Sequence, residues 1–336
     1  MVAIADFIND ALSTRLRRGT STARRCALAV AALLCVTAAG ALAQPKDAQC
    51  GALTANPAVA IDACTRAIEF GSLDKPELAK AYYSRGTEWA NQGNHDRAVA
   101  DFELALQLDP KFAAAYYNRA LSWSAKGESD RAISDYDAAL KVNPIDGNAH
   151  IGRAVEYTVK GDYKRAIEDY DDAIRIEPQA SPGYFGRARA RYYAGDFMSA
   201  ASDFYRAHQI SPGVYTALWL FLARKRADIP GEKTLAQEAG TSGGGAWPAP
   251  VVGLYLGTAT PDAVIRAAAH PDPARQRELR CEANFYIGEW QLLRGAREPA
   301  AQLLREAEST CSRRFIEHEG AVAELRRLQQ TVSGKR

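Results

Sequence analysis

Four cysteines outside the N-terminal leader have the spacing that most plainly bears chemistry. Cys50 and Cys64 form one local pair, and Cys281 and Cys311 form another. The chemistry is thiol oxidation, because an even number of cysteines in an exported chain suggests disulfides. Four unconnected buried thiols are the alternative. The five histidines, His95, His150, His208, His270 and His318, are scattered. None pairs with another at metal-ligand spacing, and the cysteines lack a CxxC. His150 sits on a helix near aromatic positions and reads as a packed or groove histidine rather than a ligand. The "GTSGGG" that begins at Gly240 lacks the Lys-Ser/Thr of a phosphate loop. No catalytic constellation emerges, so the reading is of a non-enzyme with no cofactor, metal or small-molecule substrate.

These residues are carried by a chain of 336 residues with a formal net charge of +2, which gives no strong field for nucleic acid or anionic lipid. Arg15, Arg17, Arg18, Arg24 and Arg25 precede an apolar run, "CALAVAALLCVTAAGALA", from Cys26 to Ala43. The run ends in the small-x-small pattern Ala41-Leu42-Ala43, the layout of a secretory signal. Residues 1–43 are therefore expected to direct export to the periplasm, with cleavage near Ala43. An uncleaved membrane anchor is the alternative, because the run is just long enough to span a bilayer. Arg24-Arg25 leaves the twin-arginine route open beside the general one. Neither Cys35 nor Cys50 sits in a lipobox. The leader holds five arginines and two aspartates, so the rest of the chain is close to neutral.

Self-similarity dominates the middle of the chain. "AKAYYSRGTEWANQGNHDRAVADFELALQLDP" begins at Ala79, and related stretches begin at Ala113, Gly147 and Ser181, each 34 residues after the last. Turn glycines recur at Gly93, Gly127, Gly161 and Gly195. Alanines recur at Ala98, Ala132, Ala166 and Ala200, and again at Ala105, Ala139, Ala173 and Ala207. Each unit closes with a proline at 110, 144, 178 or 212. Glycine ends the first helix of a unit and proline follows the second. Such hairpins cannot bury their apolar faces alone, so the units must stack. Arg85, Arg119, Arg153 and Arg187 recur in register, and so do Asp101, Asp135, Asp169 and Asp203. The co-periodic carboxylates predict a ladder within the units rather than a basic stripe for an acidic ligand.

The ends are less regular. "NPAVAIDACTRAIEFG" reads as an isolated second helix, with Cys64 where the regular units carry Phe or Tyr. Residues 44–78 would then cap an array over 79–214. Residues 215–336 read as an irregular helical region. In it, Tyr215–Ala227 looks like a first helix without its partner, Gly240–Pro250 is a loop, and two short helices come after it. A repeat-like hairpin returns at 281–311, with Cys281 opening its first helix and Cys311 ending its second. An antiparallel hairpin brings those ends together, so a Cys281–Cys311 disulfide is geometrically reasonable. Closing about 30 residues contributes on the order of 3–4 kcal/mol in the chain-entropy model. Cys50–Cys64 would likewise staple the N-terminal segment over its helix.

The period and these motifs closely resemble the tetratricopeptide repeat. The expected fold is therefore all-α, a solenoid of helical hairpins with an irregular C-terminal helical region. In that family the inner face is lined by first helices. By register its candidates here are Tyr83, Thr87, Tyr117, Asn118, Leu121, Ile151, Val155, Phe185, Arg189, Tyr192 and Tyr193. A protein segment is the ligand such aromatics suit, and the chain's own C-terminal helices are the alternative occupant. A carboxylate clamp of the co-chaperone kind is incomplete. Lys80 and Asn118 fit it partly, but Asn148 and Gly152 stand where basic residues belong. The C-terminal third, with "EANFYIGEWQLLRGAREPAAQLLREA" and "FIEHEGAVAELRRL", resembles the NlpI-type periplasmic adaptors. That resemblance implies a homodimer that gathers cell-wall hydrolases and presents one to a C-terminal-processing protease. The alternatives are a structural or co-chaperone-like repeat protein, or a membrane-anchored assembly factor. The apolar row Leu218–Leu222 is the sequence feature that would feed self-association.

Overall fold

A computed structural model of the chain describes Cys50 and residues 56–70, 72–241, 246–313 and 315–333. The leader expected over 1–43 lies outside them, as does the heart of the loop expected over 240–250. Among the described residues no helix is long and apolar enough to cross a membrane.

The fold is built of α-helices, as the 34-residue pattern predicts. α1 is Pro57–Glu69, the isolated second-type helix expected before the array. The four regular units are hairpins: α2 Lys75–Asn91 with α3 His95–Leu108, α4 Ala113–Lys126 with α5 Ser129–Val142, α6 Gly147–Lys160 with α7 Tyr163–Ile176, and α8 Ser181–Ala194 with α9 Phe197–Ile210. Local sequence explains the boundaries. Asp74 accepts from the Glu77 amide while Glu77 reaches back to Asp74, a reciprocal cap that starts α2. Gly127 and Gly161 end α4 and α6 with φ of 79°, a left-handed conformation that a Cβ would strain.

Each unit is tied internally by the expected ladder. The arginine of the first helix grips the aspartate of the second through two hydrogen bonds. These are 2.8 and 2.7 Å for Arg85–Asp101, 2.7 and 2.6 Å for Arg119–Asp135, 2.8 and 2.5 Å for Arg153–Asp169, and 2.8 and 2.7 Å for Arg187–Asp203. The aspartates are buried, and Arg153 and Arg187 also reach Asp137 and Asp171 of the preceding unit, so the periodic arginines are spent within the array.

Between units, the ring of a second-helix tyrosine packs on a glycine of the next first helix. Phe102 is followed in register by Asn118. Tyr136 and Tyr170 are followed by Gly152 and Gly186. A Cβ added at Gly152 would lie 2.5 Å from the Tyr136 ring, and one at Gly186 would lie 2.3 Å from the Tyr170 ring. Tyrosine with its extra oxygen therefore pairs with glycine, whereas the residue in register after Phe102 carries a side chain. The interior is close-packed enough to enforce this match.

The C-terminal region departs from expectation in three places. α10, Val214–Arg226, does have a partner, because the short helix α11, Glu232–Thr241, packs against it. α11 is hard to read in sequence, since Leu235 is its one large apolar residue. The row Leu218, Trp219, Leu220, Phe221 and Leu222 is at most 3% exposed, so it is not a surface for self-association. Trp219 is the hub, with ring centroids 5.5 Å from both Tyr192 and Phe285 and 5.8 Å from Phe204. The two short helices are α12, Ala249–Tyr255, and α13, Pro261–Ala267. The last hairpin is longer than expected: α14 runs Pro273–Leu293, so Cys281 lies two turns inside it rather than at its start. Asp272 caps α14 through the amides of Ala274 and Arg275. α15, Arg297–Thr310, ends at Cys311, and the single helix α16, Ile316–Ser333, lies beyond it. Both expected disulfides are present, Cys50–Cys64 and Cys281–Cys311, with Cα atoms 4.5 and 5.0 Å apart.

Candidate functional site

The first helices α2, α4, α6 and α8 line the concave side of the array, and their inward positions divide into an open and a covered stretch. On α2 and α4, the Asn118 amide donates to the Tyr83 hydroxyl at 2.9 Å and to the Thr87 hydroxyl at 3.4 Å. Thr87 in turn donates to the Tyr83 carbonyl at 2.9 Å. Asn118 is thus engaged within the groove wall and is not free to clamp a ligand carboxylate. Tyr117 leans on Tyr136 with centroids 5.9 Å apart. Burial first, then Asp146 and Tyr83, push its phenol up to about 12, so it stays neutral. Leu121 is 43% exposed, and Ile151 and Val155 are half-buried. Val159, which sequence reasoning missed, is 42% exposed one turn beyond Val155. The open stretch is apolar and carries tyrosine hydroxyls.

At α8 the same register is covered. Phe185 packs edge-on against Phe204 at 5.4 Å. Arg189, Tyr192 and Tyr193 were expected to face a partner, but all three are buried, at 5%, 0% and 5% exposure. The chain's own α16 lies on them. Arg189 pairs with Glu319, and the Tyr193 hydroxyl donates to the Ile316 carbonyl at 3.0 Å. Arg327 donates to the carbonyls of Tyr192 and Tyr193 at 2.9 and 3.1 Å. Arg326 reaches as far as Gly161 at the end of α6. The alternative occupant foreseen for the groove is therefore present over this stretch. An arginine and two tyrosines suit an internal helix as well as an external one, so residue types alone do not distinguish them.

One cluster has metal-ligand atom types: His150, Asp169 and Asp172, with ligand atoms within 4.8 Å of one another. Its donors are already committed. Both Asp169 oxygens accept from Arg153, and the His150 ring nitrogens face Asp169 Oδ1 at 3.3 Å and the Pro144 carbonyl at 3.2 Å. The arrangement is the third rung of the ladder with a histidine added, which agrees with reading His150 as a packed residue.

Comparison with known proteins fits this geometry. The chain matches the tetratricopeptide repeat over residues 79–112 and, with a second model of the same description, over 117–184. A tetratricopeptide repeat protein from Parabacteroides merdae is 17% identical in sequence. The match covers 80% of this chain and 91% of that one, with a TM-score of 0.50. The C-terminal part of a repeat-containing protein from Cytophaga hutchinsonii is 18% identical, covering 79% and 94% with a TM-score of 0.47. The crystal structure of MamA is 22% identical over 46% of this chain and 88% of its own, with a TM-score of 0.43.

Proposed function

We propose that this solenoid of tetratricopeptide repeats is a non-enzymatic adaptor whose open groove, over α2, α4 and α6, receives a segment of a partner protein. The observation that carries the reading is the division of the groove. Equivalent positions seat the chain's own helix at α8 and stand open at α2–α6. A concave face that holds one amphipathic helix has the form to hold a second segment. Tyr83, Tyr117, Leu121, Ile151, Val155 and Val159 offer that segment an apolar bed with a few hydroxyls, and tyrosines concentrate binding energy at interfaces.

The compartment belongs to the same proposal. Arginines before an apolar run and an Ala-Leu-Ala end support export, and paired cysteines suit an oxidising space such as the periplasm. The resemblance of the C-terminal third to NlpI-type adaptors suggests the clients: cell-wall hydrolases and a C-terminal-processing protease. The homodimer implied by that resemblance loses its sequence motive, because Leu218–Leu222 is buried within the chain.

The test is capture from periplasmic extract with the wild type and with Leu121→Lys/Val159→Lys. Both side chains are exposed, so the variant should fold. It is expected to lose the cell-envelope proteins that the wild type retains. Equal recovery by both forms rules out this groove as the client site, and recovery of none by the wild type rules out the adaptor reading.

A further inference from the structure

The seat of α16 is unusual in its charge. Six carboxyls, Glu156, Glu282, Glu289, Glu317, Glu319 and Glu324, are buried or nearly so at its contacts with α6, α8 and α14. Three guanidiniums answer them: Arg189, Arg226 and Arg327. Arg189 serves Glu319, while Arg226 and Arg327 converge on Glu324. Of the other four, Glu289 and Glu317 each face another acid across the α14–α16 contact.

Glu317 is on α16. Glu282 and Tyr286 face it from α14, Arg189 and Tyr193 from α8, and Tyr215 from α10. Its hydrogen-bond partner is the Tyr286 hydroxyl at 3.3 Å. Glu282 is itself held by Tyr215 at 2.9 Å and Trp247 at 2.8 Å, both donors, with Arg275 and Glu278 nearby. Glu289 is on α14. It is fully buried; Tyr192 of α8 donates to it at 2.8 Å, and Arg226 of α10 stands 3.6 Å away. Glu324 and Arg327 face it from α16 and Tyr255 from α12. Its second oxygen has no hydrogen-bond partner among the described residues. A buried carboxylate with an orphan oxygen and an acid opposite is tolerable chiefly as the neutral acid.

We infer that α16 is a proton-gated lid on the C-terminal stretch of the groove, held down while Glu289 and Glu317 carry protons and released as they lose them. Release uncovers Arg189, Tyr192 and Tyr193. That a client then uses them rests on the adaptor reading above, whereas the release itself does not. Burial and then Glu324 raise Glu289 to about 7, and burial and then Glu282 raise Glu317 to about 8. Both shifts are upward, so docking is fully favoured below the ordinary carboxylate range. It weakens as pH rises towards 7–8 and levels off above, by up to about tenfold per pH unit for each group.

Hydrogen exchange read by mass spectrometry on the full mature chain, disulfides intact, tests this without any client. After correction for intrinsic rates, protection of α16 should fall at least about tenfold between pH 5.5 and 8.5. Protection of α2–α5 should stay constant. Glu289→Gln/Glu317→Gln should flatten the fall, and each single variant should reduce it, which keeps the test valid if the double variant folds poorly. Constant α16 protection in the wild type, an equal fall in the array, or an undiminished fall in the variants would each overturn the lid.

Discussion

The regular array and the C-terminal cover bury charge by opposite rules. In the array each buried aspartate meets its unit's arginine in a two-bond grip, repeated four times, and Asp203 takes a second arginine, Arg191. Under α16, carboxyls outnumber guanidiniums and face one another. A matched pair is indifferent to protons near neutrality, whereas a surplus of acid is not. The first arrangement suits a scaffold that must keep its shape, and the second suits a contact that can be altered.

The contrast between the two regions is sharpest at Asp135. Asp135→Ala leaves the Arg119 guanidinium, 19% exposed, without its partner inside the unit. The expected loss is about 3 kcal/mol, the lower end for a broken buried pair. Glu289→Gln removes a carboxyl of similar burial yet should cost nothing or stabilise at pH 8, because it removes a charge that has no room. Urea unfolding of both variants decides this. Similar losses in the two would erase the distinction between the regions.

A smaller effect tests how finely the array is matched. Gly152→Ala should cost about 2 kcal/mol by crowding the Tyr136 ring. Adding Tyr136→Phe removes the hydroxyl oxygen, one of the atoms that the new methyl meets, and should recover about half of that. The coupling in a double-mutant cycle is the quantity to measure. Additive losses would mean that the tyrosine–glycine pairing is incidental.

Legibility from sequence divides along the same line. The array could be read because one interaction set recurs at a fixed period. Arg85 and Asp101 mean little alone, but with three more pairs in register they specify a ladder. The disulfides could be read because each pair is local. The cover was only partly legible. α14 starts eight residues before Cys281 because "DPARQREL" pairs a capping aspartate with a polar first turn, a weak apolar signal. Arg189 and Tyr193 have the side chains that bind partners, and the helix that satisfies them lies about 130 residues away. Spacing within a repeat carries no record of so distant a contact.

The smallest effect concerns His150, where the array itself breaks its pattern. The equivalent residues in the other units are Tyr82, Tyr116 and Tyr184, each under its unit's ladder arginine at 5.5–5.7 Å. Tyr184 donates to the Pro178 carbonyl at 3.3 Å, and His150 Nε2 makes the equivalent contact with the Pro144 carbonyl at 3.2 Å. His150 Nδ1 also faces Asp169, so both ring nitrogens meet acceptors and the doubly protonated ring satisfies both. The Asp169 hydrogen bond raises the pKa of His150 against the opposing effect of burial. A raised pKa contributes stability that is fully present below the ordinary histidine value and lost as pH rises through the shifted one. His150→Tyr restores the unit pattern without that proton. Wild type should therefore be the more stable of the two at pH 5.5, by no more than about 1 kcal/mol for so partial a pair. At pH 8.5 the order should reverse or close. An unchanged difference between the two pH values would show that the neutral ring suffices at this position, and the array would then be as indifferent to protons here as at its other rungs.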